Sequence, residues 1–164
     1  MAVDCSGESG APCLLMLVDK ITGGKSKVWA WRLGSGVSKI GKAEDGHPAD
    51  TTVEGNAFTI RKPDGATLRG TFVVPGDVKV TAEVKQTEMI GGGGRSSGKT
   101  LERPIPGVSA TGGTDGRNGD FFVAVTMQRG DRPAVTVEGS GLNARVTVGK
   151  QVIAFDGKKV FVGK

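Results

Sequence analysis

Apolar and β-branched residues recur at every second position in short runs separated by Gly, Asp, Asn and Pro, the pattern of strands with one face in a core. The runs predict strands over Leu14–Ile21, Lys27–Leu33, Thr51–Val53, Ala57–Lys62, Ala66–Val74, Val78–Gln86, Asp120–Gln128, Ala134–Glu138, Ala144–Val148, Gln151–Phe155 and Lys159–Val162. No long window keeps a helical period. Turn chemistry marks the boundaries: Glu54-Gly55-Asn56, Pro63-Asp64-Gly65, Arg129-Gly130-Asp131, Gly149-Lys150 and Asp156-Gly157 supply positive or preset φ between runs. The end of the chain, from Arg145 on, reads as a three-strand meander.

About eleven short strands bury their apolar stripes best as two antiparallel sheets packed face to face, so the chain is expected to be all-β, a two-sheet β-sandwich, with a closed barrel second. In Asp120–Gln128 the alternation puts Phe121, Val123, Val125 and Met127 on a fully apolar face and Phe122, Ala124, Thr126 and Gln128 on a mixed one. Two segments fall outside the runs, Gly34–Asp50 and Gly91–Gly119. The second holds 10 glycines in 29 residues with few apolar anchors, chiefly Leu101, Ile105 and Val108, and is expected to be a mobile loop rather than a ligand cradle, with Gly91–Lys99 staying loose and the segment beyond Leu101 free to dock.

Composition narrows the class. With 164 residues, 28 of them Gly and 7 Pro, and about a quarter Leu, Ile, Val or Phe, the chain fits a single domain, 1–164, with a glycine-diluted core. The longest apolar run, Cys13 to Val18, is far short of the roughly 20 residues of a membrane-spanning helix, so no membrane partner is expected. Met1-Ala2-Val3-Asp4 has neither the basic nor the apolar region of an export signal. The surplus of 22 Lys and Arg over 17 Asp and Glu gives +5, spread over Lys20, Lys25 and Lys27, then Lys39 and Lys42, then Lys150, Lys158, Lys159 and Lys164. Nucleic-acid readers concentrate charge and interleave aromatics, so no nucleic-acid partner is expected; Lys pointing outward from strands keeps their edges soluble, and weak attraction to an acidic polymer stays open.

Chemistry-bearing residues are few. There is one His, His47 in Glu44-Asp45-Gly46-His47-Pro48, no Tyr, and two Cys, Cys5 and Cys13. A catalytic triad would have to use His47, and zinc sites recruit several His or Cys, so no catalytic residue, no metal and no cofactor is assigned. Cys5 and Cys13 flank Ser6-Gly7-Glu8-Ser9-Gly10; a small disulfide loop and two unpaired thiols both fit. Gly93-Gly94-Arg95-Ser96-Ser97-Gly98-Lys99-Thr100 satisfies the phosphate-loop spelling. That chemistry needs a helix beginning at the Lys; Pro104 and Pro106 would break it, so Lys99 and Thr100 are read as a false match and no nucleotide site is assigned. Arg129-Gly130-Asp131 spells an integrin tripeptide and is read as a hairpin turn.

Trp29 and Trp31, two apart in a strand, share a face with Leu33, while Val28, Ala30 and Arg32 take the other. Exposed, the pair could stack on sugar rings with Lys27 beside it, making the chain an autonomous carbohydrate-binding module; buried, it supplies area to a core with only six Phe besides, and this scarcity favours the core.

The order of Leu15-Met16-Leu17-Val18-Asp19-Lys20-Ile21, Lys27-Val28-Trp29-Ala30-Trp31-Arg32-Leu33, Asn56-Ala57-Phe58-Thr59-Ile60, Asp64-Gly65-Ala66-Thr67-Leu68 and Thr71-Phe72-Val73-Val74-Pro75, then Ile90-Gly91-Gly92-Gly93-Gly94 and Asp120-Phe121-Phe122-Val123-Ala124-Val125, resembles the C-terminal β-sheet domain of heparinase II/III-like polysaccharide lyases. The resemblance covers most of the chain. It implies an accessory or structural module of a larger secreted or periplasmic protein, with that protein's other domains and an acidic polysaccharide as partners. Such lyases eliminate across a uronic acid with Tyr and His carried by a helical toroid and a central sheet domain. This chain has no Tyr and no helical part, and where the family carries a His after the Trp-containing strand, Leu33 is followed by Gly34-Ser35-Gly36; the segment itself is therefore expected not to be an enzyme.

Overall fold

The computed structural model describes residues 1–32, 50–62, 64–90, 100–113 and 116–163, with residues 50, 84–90 and 100–106 described by their backbone alone. All eleven runs are strands, and the fold is all-β and antiparallel throughout the described residues. In chain order the strands are β1 (Ala2–Asp4), β2 (Cys13–Lys20), β3 (Val28–Arg32), β4 (Asp50–Glu54), β5 (Ala57–Arg61), β6 (Ala66–Val74), β7 (Lys79–Ile90), β8 (Thr100–Thr111), β9 (Asp120–Arg129), β10 (Val135–Glu138), β11 (Arg145–Val148), β12 (Gln151–Phe155) and β13 (Val160–Gly163). A single 3₁₀ turn, Gly141–Asn143, joins β10 to β11.

The strands form three sheets rather than the expected two. A six-stranded sheet runs β1-β2-β9-β6-β5-β4, a three-stranded one β3-β8-β7, and a four-stranded one β10-β11-β12-β13. The six-stranded sheet lies in the middle, because its two faces feed two separate cores. On one side Phe58, Ile60, Phe72, Phe121, Val123 and Val125 meet Trp29, Val108 and Ala110 of the three-stranded sheet. On the other, Leu14, Met16, Val73, Val74, Phe122 and Ala124 meet Val146, Val148 and Ile153 of the four-stranded sheet. The face of β9 read as mixed is therefore interior as well: Phe122 and Ala124 are buried, and so are Thr126 and Gln128. Alternation assigns residues to faces correctly but leaves open what covers each face.

Two strands lie outside the eleven runs. β1 is only three residues long and has no stripe of its own; its pairing with β2, Ala2↔Met16 to Asp4↔Leu14, makes it an edge strand. β8 occupies much of the stretch read as a loop; the part beyond Leu101, left free to dock, is a full strand that pairs with β7 from Ile90↔Thr100 to Lys79↔Thr111 and with β3 over 107–111, which corrects the loop reading there. Val108 and Ala110 are fully buried in the core there. Pro104 and Pro106 fall opposite Gln86 and Val84, where β7 is the only neighbour among the described residues, so a missing N–H interrupts no second ladder. Residues 91–99, and 33–49 of the other long loop, lie outside the described residues.

Two glycines show how closely the layers approach. Gly70 faces Phe58 across the β5–β6 ladder, and a Cβ there would stand 2.2 Å from the Phe58 ring, so the ring lies flat over the bare backbone. At Gly107 a Cβ would meet the Trp31 carbonyl at 2.3 Å, where β3 joins β8. A register shift between Phe72 and Val74 changes the facing of β6 at its end, sending Phe72 into one core and Val73 and Val74 into the other.

Candidate functional site

The tryptophan pair sits on β3, the edge strand that β8 joins to β7. Trp29 is 6% exposed, its ring edge-on to Phe72 at 5.2 Å and tilted against Phe58 at 6.2 Å. It thus takes the core role of the two open to it. Trp31 is half-buried and stacks on Trp29 at 6.1 Å between centroids, so at most one indole face of the pair reaches solvent. Lys27 is half-buried; its ammonium donates to the Gly24 carbonyl at 3.4 Å, and its backbone bonds Gly116 and Gly112, tying the entry of β3 to the segment after β8. As read from alternation, Val28 and Ala30 are exposed on the reverse face.

Sequence reading missed the polar partner of this cluster. The Trp29 indole Nε1–H donates to Asp19 Oδ2 at 3.1 Å, so the end of β2 in the central sheet is fastened to β3 in the outer one. A buried indole needs an acceptor, which is the one sequence signal that could have suggested a nearby carboxylate. Asp19→Ala is expected to cost about 1 kcal/mol, because the N–H loses its partner at a rim that water reaches, and Asp19→Asn to recover most of it. Urea midpoints of the two variants check this; equal losses would show that the carboxylate has no acceptor role.

Several other charged groups are engaged in pairs. Arg32 Nη2 reaches Glu83 Oε1 at 2.5 Å while its Nη1 donates to the Val108 carbonyl at 3.1 Å, bracing the three-stranded sheet. Arg69 meets Glu54 at 3.3 Å and Thr59 Oγ1 at 3.1 Å on the central sheet. Arg129, first residue of the integrin-like tripeptide, donates to the Asp64 carbonyl and to its carboxylate, the latter at 2.9 Å. Gly130, at φ 84°, turns the chain from the central sheet to β10 of the four-stranded one, so the tripeptide is a crossover between sheets and not the hairpin read from sequence. The Ala66 N–H, and with it Arg129, holds the Asp64 carboxyl below the usual carboxylate range; the Lys159 and Lys158 amides do the same for Asp156 in the β12–β13 turn.

The described surface includes two open depressions. One, of about 520 Å³, is lined by residues 6–10, Pro133, Gly149 and Lys150; the other, of about 380 Å³, by Pro12, Cys13, Ala66, Thr67, Met127, Gln128 and Arg129. Cys13, which lines the second, has its Sγ 3.7 Å from that of Cys5, both as free thiols. Among the described residues no three His, Cys, Asp or Glu side chains converge as metal ligands would. His47 and residues 93–99 of the phosphate-loop spelling, Lys99 among them, lie outside the described residues, and the Thr100 backbone opens β8.

The described residues form a three-layer antiparallel β fold in which Asp19, Arg32 and Arg69 brace the sheets. Comparison with family models, with curated proteins and with solved structures finds no match for this chain.

Proposed function

We propose that the chain is a non-catalytic accessory or structural β-sandwich module of an exported, carbohydrate-active protein of the heparinase II/III-like lyase kind. One observation carries the reading: five of the seven segments in which the resemblance consists supply the central sheet's and β3's side of the two cores. Leu15 to Val18 of β2, Trp29 and Trp31 of β3, Phe58 and Ile60 of β5, Phe72 to Val74 of β6 and Phe121 to Val125 of β9 pack in the two cores or against them, and the Asp19–Trp29 bond fastens the first two segments together. Core-packing residues support a scaffold role in this reading, since a reaction would have to be argued from a site and not from the fold.

A carbohydrate-binding module using Trp29, Trp31 and Lys27 is the weaker reading, since sugar stacking needs open ring faces and Trp29 offers 6% of its surface. The purified chain, incubated with heparan sulfate, alginate or ulvan, is expected to release no unsaturated uronide, followed by the absorbance of the new double bond. Release that a point substitution in this chain abolishes would overturn the proposal.

A further inference from the structure

The β1–β2 ladder runs Ala2↔Met16, Val3↔Leu15, Asp4↔Leu14, and the next opposed pair in that register is Cys5 and Cys13. Directly opposed residues of antiparallel strands hold their Cα atoms about 4.5–5.5 Å apart, inside the span a disulfide bridges without moving backbone. The side chains already use this placement: the Cys5 thiol donates to Cys13 Sγ at 3.7 Å. From the register and this contact we infer that Cys5 and Cys13 are a dithiol that closes to an intramolecular disulfide in an oxidising compartment, clasping edge strand β1 to β2.

The loop between them is anchored in advance. Ser9 is fully buried, its hydroxyl donating to the Ala11 carbonyl at 3.2 Å and accepting the Ala11 N–H at 3.3 Å. Its own carbonyl packs against Gly149 in the β11–β12 turn, where a Cβ would stand 2.2 Å away. Ser6 donates to Asp4 at 2.8 Å at the other end. Loop ends and loop centre are therefore fixed with the thiols unlinked, and closure needs only a small approach of the two sulfurs.

The two sulfurs differ in access. Cys5 is exposed, whereas Cys13 is half-buried, and burial, then the neighbouring Cys5 and Asp4, pushes its thiol up. Cys5 is thus the sulfur that meets an oxidant. Its thiolate attacks one sulfur of a small-molecule disulfide of the glutathione class, forming a mixed disulfide and releasing one thiolate. Cys13 then loses its proton to solvent and attacks Cys5 Sγ, expelling the second thiolate. Two protein thiols are oxidised by two electrons, and one oxidant disulfide is reduced to two thiols.

The test is incubation of the folded chain in a buffer of reduced and oxidised glutathione, quenched by alkylation and read by intact mass and peptide mapping. The wild type is expected to become a monomer lighter by two hydrogens with residues 5 and 13 linked, and to melt about 7 °C above its reduced form, as a short closed loop in a domain of this size predicts. Cys13→Ser is expected to stop at a glutathione adduct on Cys5, and Cys5→Ser, altered only at an exposed position, to leave Cys13 unmodified. A wild type that stops at the Cys5 adduct, that links chains into dimers, or that closes only after denaturation would overturn the inference.

Discussion

Phe72→Ala is expected to lower the unfolding free energy by about 4 kcal/mol, one of the largest single losses available in this domain. The Phe72 ring is fully buried and lies at the centre of an aromatic cluster, 5.2 Å from Trp29, 6.1 Å from Phe58 and 6.4 Å from Phe121. Three rings lose an edge or face contact when it is removed, and each such pair adds to the area term. The site cannot collapse, because Phe58 is already laid over Gly70 and Phe121 is fixed in β9, in the interior of the central sheet. For a chain of this length the melting midpoint should fall by about 12 °C. A loss below about 1 kcal/mol in urea unfolding would mean that the cluster does not hold the outer sheet to the central one.

Phe122→Ala is expected to cost nearly as much, about 3–4 kcal/mol, although its neighbour in sequence points the opposite way. Phe122 pairs with Val18 of β2 and Val74 of β6 and is fully buried beneath the four-stranded sheet with Met16, Val146 and Ile153. In a two-sheet sandwich this face of β9 would meet solvent, and the same change would stay within about 0.5 kcal/mol. The pair of variants thus separates three layers from two: comparable losses at 72 and 122, with the urea slope unchanged, belong only to a central sheet covered on both faces.

Disulfide closure tests a different link, from register to redox chemistry, and its outcome does not depend on whether the chain serves a lyase-like parent. The spacing of the two cysteines left both a bridge and two free thiols open. Pairing of β1 with β2 sets residues 5 and 13 opposite each other just past the end of the ladder, their sulfurs 3.7 Å apart as free thiols, and the glutathione experiment decides between the two.

Much of the fold was legible because strand formation here follows from local periodicity and turn chemistry. Ala66–Val74 and Gln151–Phe155 begin and end where the alternation and the flanking turns say they should. β8 was hidden by the features that mark loops, two prolines and neighbouring glycines, which are tolerated where β7 alone pairs with it among the described residues. β1 was hidden by its length, since three residues carry no period. At the candidate site, the shared face of Trp29 and Trp31 followed from their spacing, but the Asp19 acceptor did not, because it comes from another sheet.

Sequence by itself thus determined the all-β class, the eleven runs and which side chains of each share a face, since these depend on residues adjacent in the chain. Tertiary structure alone decided that β9 is covered on both sides, that Trp29 is interior and fastened to Asp19, and that Cys5 faces Cys13. Those outcomes depend on which strands become neighbours across layers, and that choice is settled by the summed burial of distant stripes, which no local pattern encodes.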